Sequence, residues 1–293
     1  MLINKLKGTG VALVTPFNKK GEIDYHAFEK VINHVIAGGV NYLVLFGTTG
    51  ESVTLSPEEK KEGLAFAKKI NAARVAMVVG VGGNNTSYLV HELQTLNTDS
   101  VDAILSVSPY YNKPTQEGIY QHYMKLAEVS PQPIIIYNVP GRTSSNISAE
   151  TTLRLANASE KFVAVKEASL NLHQCAMIIK HRPKNFLVLS GDDNLTLPLL
   201  SLGAEGVISV IANAIPKPFT EMVNAALSRD FKSASLLHLK MLELFDLMMA
   251  EGNPGGVKAA LSILRICENE LRLPLVKVGE KTYSAIKEEL KLF

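Results

Sequence analysis

Tryptophan is absent from this 293-residue chain, and cysteine occurs only as Cys175 and Cys267. Two thiols so far apart, with no metal-type or redox-type spacing, are expected as reduced core side chains rather than as a disulfide. Charge of one sign is missing too: 30 basic residues against 28 acidic ones leave a net charge of +2. Such a balance supplies no electrostatic drive toward nucleic acid or a membrane surface, so the expected partner is a small molecule or another copy of the chain. No apolar stretch approaches the ~18 residues of a membrane span, and the start, from Met1 to Gly8, lacks the apolar core of a secretory signal. A cytoplasmic protein is the expectation. Low-complexity segments are also lacking.

What is present is a hydrophobic content of 46%, enough for a large core. Short apolar runs recur roughly every thirty residues, each followed by turn residues and a segment of helical period. They are Thr9 to Val14, Tyr42 to Phe46, Val75 to Val81, Ala103 to Val107, Pro133 to Tyr137, Val163 to Lys166, Phe186 to Ser190 and Gly206 to Val210. Eight βα units in a row predict a (β/α)8 TIM barrel, an α/β fold built on a parallel sheet. Strand signals end near Ile215, and Leu237, Met241, Leu244, Phe245 and Met248 then keep helical spacing. The expected organisation is a barrel over residues 1–220 carrying the active site and a C-terminal helical extension over residues 221–293. Ser56-Pro57-Glu58-Glu59 is a strong helix start with a capping box, Gly38-Gly39 an expected left-handed stop, and Ser148 and Asn194 are weaker cap candidates.

Catalytic groups of such a barrel gather at the C-terminal ends of the strands, and polar residues cluster there. Phe162-Val163-Ala164-Val165 ends in Lys166-Glu167. An amine at the mouth of an apolar core resists protonation and is then a nucleophile toward ketones; the alternative is a surface lysine paired with Glu167. Gly47-Thr48-Thr49-Gly50 can curl its N–H groups into a nest for a carboxylate, or form a tight turn capped by threonine. Tyr137 ends the run Pro133-Ile134-Ile135-Ile136, which points its hydroxyl either into the mouth near Lys166 or onto a core carbonyl. Arg142 has the planar fork that fits a carboxylate, and a surface ion pair is its alternative role. Asp192-Asp193 offers metal binding or acid–base work, but helix capping is the expected use. Gly203 to Ser209 is similar to late-barrel phosphate loops, although no second glycine-rich loop stands beside it. The histidines, His26, His34, His91, His122, His173, His181 and His238, fall in helical stretches or their flanks and form no ligand cluster at the mouth, which disfavours a metal-dependent barrel enzyme.

These motifs together resemble the pyruvate-dependent class I aldolases of the dihydrodipicolinate synthase and N-acetylneuraminate lyase type, over nearly the whole chain. Gly47-x-Thr49-Gly50-Glu51, Tyr137-x-x-Pro140 and Lys166 are the superfamily's marks. Ser108-Pro109-Tyr110-Tyr111-Asn112-Lys113-Pro114, Tyr137-Asn138-Val139-Pro140-Gly141-Arg142-Thr143 and Ser190-Gly191-Asp192-Asp193 belong to its synthase branch. The resemblance implies Schiff-base condensation of pyruvate with L-aspartate 4-semialdehyde, in the diaminopimelate route to lysine, with no metal and no organic cofactor. Lys166 would form the Schiff base, the pyruvate carboxylate would sit on Thr48 and Thr49, and Ile208 would lie against the substrate. Tyr137, Thr49 and Tyr111 match the family's proton relay, flanked by Thr48, with Tyr111 coming from a neighbouring subunit. Arg142 matches the residue that holds the entrance and the semialdehyde carboxylate. A homotetramer, built as a dimer of dimers, is implied as well.

Lysine-sensitive relatives bind that inhibitor in an interface pocket whose positions Ser52, Asn84 and Tyr110 match here. Tyr88 stands where those enzymes have a glutamate, and Pro57 and Lys60 stand where histidines are common, so weak feedback inhibition is expected. The chain also has Asn253-Pro254-Gly255-Gly256-Val257-Lys258 where the family commonly has Asn-Pro-x-Pro-Val-Lys. Losing the second proline puts the rigidity of that loop in question. Two rival readings are a lyase for sialic or 2-keto-3-deoxy sugar acids, which Arg142 and Tyr111 argue against, and a barrel that binds a metabolite without catalysis.

Overall fold

The computed structural model describes residues 2–293. Eight parallel strands close on themselves in chain order: β1 (Gly8–Ala12), β2 (Tyr42–Leu45), β3 (Ala76–Gly80), β4 (Ala103–Val107), β5 (Ile134–Asn138), β6 (Phe162–Glu167), β7 (Leu187–Ser190) and β8 (Gly206–Ser209). Each of the runs expected as a strand is one, with ends shifted by a residue or two. A helix follows each strand: α1 (Tyr25–Ala37), α2 (Pro57–Asn71), α3 (Thr86–Thr95), α4 (Gln116–Val129), α5 (Ala149–Ala158), α6 (Leu172–His181), α7 (Thr196–Leu202) and α8 (Pro216–Leu227). The extension holds α9 (Phe231–Lys240), α10 (Leu242–Met249), α11 (Gly255–Ile263) and α12 (Glu280–Glu289).

Period-two alternation of side chains sorts the core into two shells. Ala12, Val44, Val78, Leu105, Ile135, Ala164, Leu189 and Ile208 face the barrel interior, whereas Val11, Leu43, Met77, Ile104, Ile136, Val165, Val188 and Val207 face the helices. Parity alone then aims Tyr137 and Lys166, two residues beyond Ile135 and Ala164, into the interior at its C-terminal end. At the opposite end Tyr42 fills the barrel and donates its hydroxyl to the Val207 carbonyl at 3.0 Å. Gly10 makes that possible, since a Cβ there would lie 2.1 Å from the Tyr42 ring.

The local signals act as expected at most ends. Ser56 and Glu59 form a reciprocal capping box at α2, Ser148 accepts from Thr151 N at the start of α5, and Gly39 takes the left-handed turn after α1 with φ +84. Asn194 does not cap: the residue before α7 is Leu195, without a side-chain cap. Residue 220 falls inside α8, which packs on β1 and α1 as the barrel's last helix. We therefore propose that the barrel runs through Leu227 and the extension begins at Phe231. Among the described residues, no helix is long and apolar enough to cross a membrane.

Candidate active site

Strand register sets Tyr137 directly beside Lys166, with Val107 and Leu189 the next residues around the ring. Lys166 is 5% exposed, and its Nζ lies 4.3 Å from the centre of the Tyr137 ring, over the ring face. The alternative of a surface pair with Glu167 does not hold. Glu167 points the other way, out of the barrel, and accepts from Asn138 Nδ2, from Ser169 Oγ at 2.6 Å and from Gln174 Nε2 at 3.3 Å, with the Cys175 thiol 3.4 Å away. Burial holds its carboxyl above the usual range, and these donors pull it partly back. Cys175 and Cys267 are free and buried, and burial first of all pushes each thiol up to about 12. The core tyrosines bonded to carbonyls are Tyr42 and Tyr123, whose hydroxyl meets Ser106 O at 2.8 Å; Tyr137 is not one of them.

The β2–α2 loop forms the opposite wall. Gly50 N–H and Glu51 N–H close the turn onto the Gly47 and Thr48 carbonyls at 3.1 and 3.0 Å. Among the described residues, Thr48 N–H and Thr49 N–H take no protein acceptor, which leaves two adjacent donors for an anion. Thr48 is exposed and Thr49 buried. Ile208 lies in the interior cluster with Tyr137, so the floor of the mouth is apolar. Arg142, exposed on the single turn Pro140–Thr143 after β5, stands near enough to Asp192 to act on its charge. Asp192 itself is pushed up to about 6, by burial first, with Lys166 opposing and Asp193 adding to the shift.

Two sequence expectations are corrected here. Asp193 caps, but not the helix that follows it: its Oδ2 accepts from Val210 N at 3.1 Å and Ile211 N at 2.8 Å, tying the turn after β8 to the end of β7. The Gly203 to Ser209 stretch cannot serve as a phosphate loop at the mouth. Gly203 ends α7, Glu205 pairs with Arg182, and Gly206–Ser209 is β8 itself, so the loop lies at the barrel's other end. Tyr111 is brought to no partner in the single chain; it is 88% exposed with φ +72. Of the expected effector positions, Asn84 and Tyr110 meet, Asn84 Nδ2 donating to Tyr110 O at 3.1 Å, while Ser52 opens a single turn in the β2–α2 loop.

Sequence reasoning missed what the extension does. Asn253 Nδ2 donates to Thr49 Oγ1 at 2.8 Å. Lys258 and Glu51 form an ion pair whose side chains are both fully buried, and Lys258 Nζ also donates to Glu270 O at 2.8 Å. Asn253 and Lys258 stood in the motif that flagged a departure, yet no local pattern says which loop they reach across two hundred residues of sequence.

The whole chain can be set beside known proteins. A family model described as Dihydrodipicolinate synthetase family matches residues 5–292. The 4-hydroxy-tetrahydrodipicolinate synthase of Azobacteroides pseudotrichonymphae is 51% identical over 288 residues, covering 98% of this chain and 97% of that one. The crystal structure of dihydrodipicolinate synthase from Aquifex aeolicus is 42% identical with a TM-score of 0.94, over 98% of this chain and 97% of that one. The chloride-inhibited dihydrodipicolinate synthase of Acinetobacter baumannii, complexed with pyruvate, is 37% identical with a TM-score of 0.94, over 98% of each chain. With a lysine and a tyrosine side by side at the mouth of a barrel, and likeness of this extent from end to end, the chain belongs to the dihydrodipicolinate synthetase family.

Proposed function

We infer that the chain condenses pyruvate with L-aspartate 4-semialdehyde to 4-hydroxy-tetrahydrodipicolinate, in diaminopimelate and lysine biosynthesis. The observation that carries this is Lys166, a buried amine at the C-terminal end of β6 against Tyr137, in a chain half identical to synthases of that name. In the proposed course Lys166 Nζ attacks C2 of pyruvate and water leaves, giving a Schiff base. Loss of a proton from C3 gives the enamine, and C3 adds to the aldehyde carbon of the semialdehyde. The amine of that substrate then attacks C2, displaces Lys166 and closes the ring.

Two unpaired donors at Thr48 and Thr49 suit the pyruvate carboxylate, and the apolar Ile208 suits its methyl side. Tyr137 and Thr49 are the groups we assign to proton transfer, with Thr48 beside them. The exposed Tyr111 supports the reading that a second copy brings this side chain to the relay and that the working enzyme is a homotetramer. Arg142, exposed at the entrance, is assigned to the semialdehyde carboxylate. The free, buried thiols and the biosynthetic substrates fit a cytoplasmic setting.

The test is reductive trapping: pyruvate and borohydride should add a reduced pyruvyl group to the peptide that carries Lys166. A label on another lysine sinks the assignment. A parallel assay with aspartate semialdehyde and with N-acetylneuraminate should give turnover with the first alone.

A further inference from the structure

Three side chains of the extension converge on the β2–α2 loop. Asn253 donates to Thr49 Oγ1, Lys258 pairs with Glu51, and Arg272 donates to the Thr54 carbonyl at 2.7 Å and pairs with Glu59, while its own backbone N–H reaches Glu51 Oε2 at 3.0 Å. Asn253 is 6% exposed and Thr49 2%, so water does not compete for their contact. The amide's other end goes without: Asn253 Oδ1 is buried and has no partner. A stranded acceptor is costly, so this orientation of the amide is held at the expense of its own satisfaction.

A threonine hydroxyl has one proton to give and two lone pairs to accept with. The amide N–H of Asn253 fills one lone pair of Oγ1, which fixes the rotor and leaves the proton uncommitted. With the amide turned over, Oδ1 would take that proton and the hydroxyl would point away from the chemistry. We propose that Asn253 is a positioning residue, which acts through Thr49 by aiming its proton at the relay, and that the Lys258–Glu51 pair holds the two segments at the required depth. This rests on the reading above that Thr49 carries protons between Tyr137 and the reacting atoms.

The full-length enzyme with Asn253→Ala, Asn253→Asp, Thr49→Val and the Ala/Val double substitution tests it, each variant first checked for fold by circular dichroism. Asn253→Ala should lower kcat about ten- to a hundredfold while KM for pyruvate moves by less than about threefold, the split expected of lost alignment. In the Thr49→Val background the same change should cost nothing further, because its target is gone. Asn253→Asp keeps the shape but, ionised, can only accept, so it should capture the threonine proton and silence the enzyme at neutral pH. Protonation of that buried acid restores a donor, so activity should climb as pH falls, a limb absent from the wild-type profile. Should the alanine variant fail to fold, this pH profile decides. Additive losses in the double variant, or an unchanged profile for Asn253→Asp, overturn the role of Asn253. Full turnover by Thr49→Val overturns the relay reading itself, and absence of pyruvate trapping on the wild-type chain overturns the Schiff-base reading beneath both. A trapped enzyme impaired by Thr49→Val but indifferent to Asn253→Ala removes Asn253 alone.

Discussion

At the scale of single residues, one register position organises the mouth. Lys166 and Tyr137 are paired across β5 and β6, and both strands arrive there with the same inward parity. Tyr137→Phe removes a hydroxyl and little volume, so we expect turnover to fall by roughly 10² to 10⁴ with the fold unchanged, the span of a lost acid–base group. A turnover number close to wild type would exclude Tyr137 from the proposed relay. Asp192 supplies a second handle. Its carboxyl titrates near 6, above the ordinary 3.8, because burial outweighs the pull of Lys166. The native state therefore keeps this proton to higher pH than the unfolded chain. The resulting stability is complete below about 3.8 and is lost as pH rises through about 6. Asp192→Asn should raise the melting temperature at pH above that value and do little in acid. An equal shift at both pH values would show that the effect is packing and not titration. Lys166 was legible from an apolar run that stops at an amine; Asp193's partners were not, because its acceptors serve backbone seventeen and eighteen residues away.

At the scale of elements, the departure at Gly255-Gly256 acquires a reason. Both glycines lie inside α11, and a Cβ at Gly256 would stand 2.6 Å from the Met248 carbonyl oxygen and 2.7 Å from its Cα. The end of α10 thus passes too close for any side chain, and the residue where relatives commonly have proline is glycine because backbone meets backbone. The expectation of a loosened loop gives way to close packing. Gly256→Ala should destabilise the fold by about 1–3 kcal/mol, the usual cost of overpacking, seen as a lower urea midpoint. An unchanged midpoint would mean that α10 and α11 separate freely. Lys258 lies in α11 and Asn253 in the connection two residues before it, so both contacts with the β2–α2 loop are anchored beside this close approach.

At the scale of the whole molecule, effector response follows from charge. Asn84 donates to the Tyr110 carbonyl, and in the effector pocket that the resemblance implies, Tyr88 would replace a glutamate and Lys60 would add a like charge. A lost charge-assisted contact is worth about 1.5–3 kcal/mol, or roughly ten- to a hundredfold in affinity. Half-inhibition by lysine is therefore expected above about 1 mM. A dose–response curve with a midpoint well below that would show that another acidic group has replaced the missing one.

The sequence by itself determined the barrel, its eight strands and the meeting of Tyr137 and Lys166 at its mouth. Each of these rests on a short-range rule: alternation within a strand, turn chemistry after it, and a helix long enough to bring the next strand parallel. Tertiary structure decided the rest. That the last barrel helix ends at Leu227, that the Gly203 to Ser209 stretch lies at the wrong end, and that Glu167 leaves Lys166 for Asn138 and Ser169 are facts about which face an element turns inward. Above all, the tie between Asn253 and Thr49 and the buried Lys258–Glu51 pair join segments about two hundred residues apart. No periodicity spans that distance, because loop closure sets no register between remote segments; only the packing of α10 and α11 beside the barrel makes them neighbours.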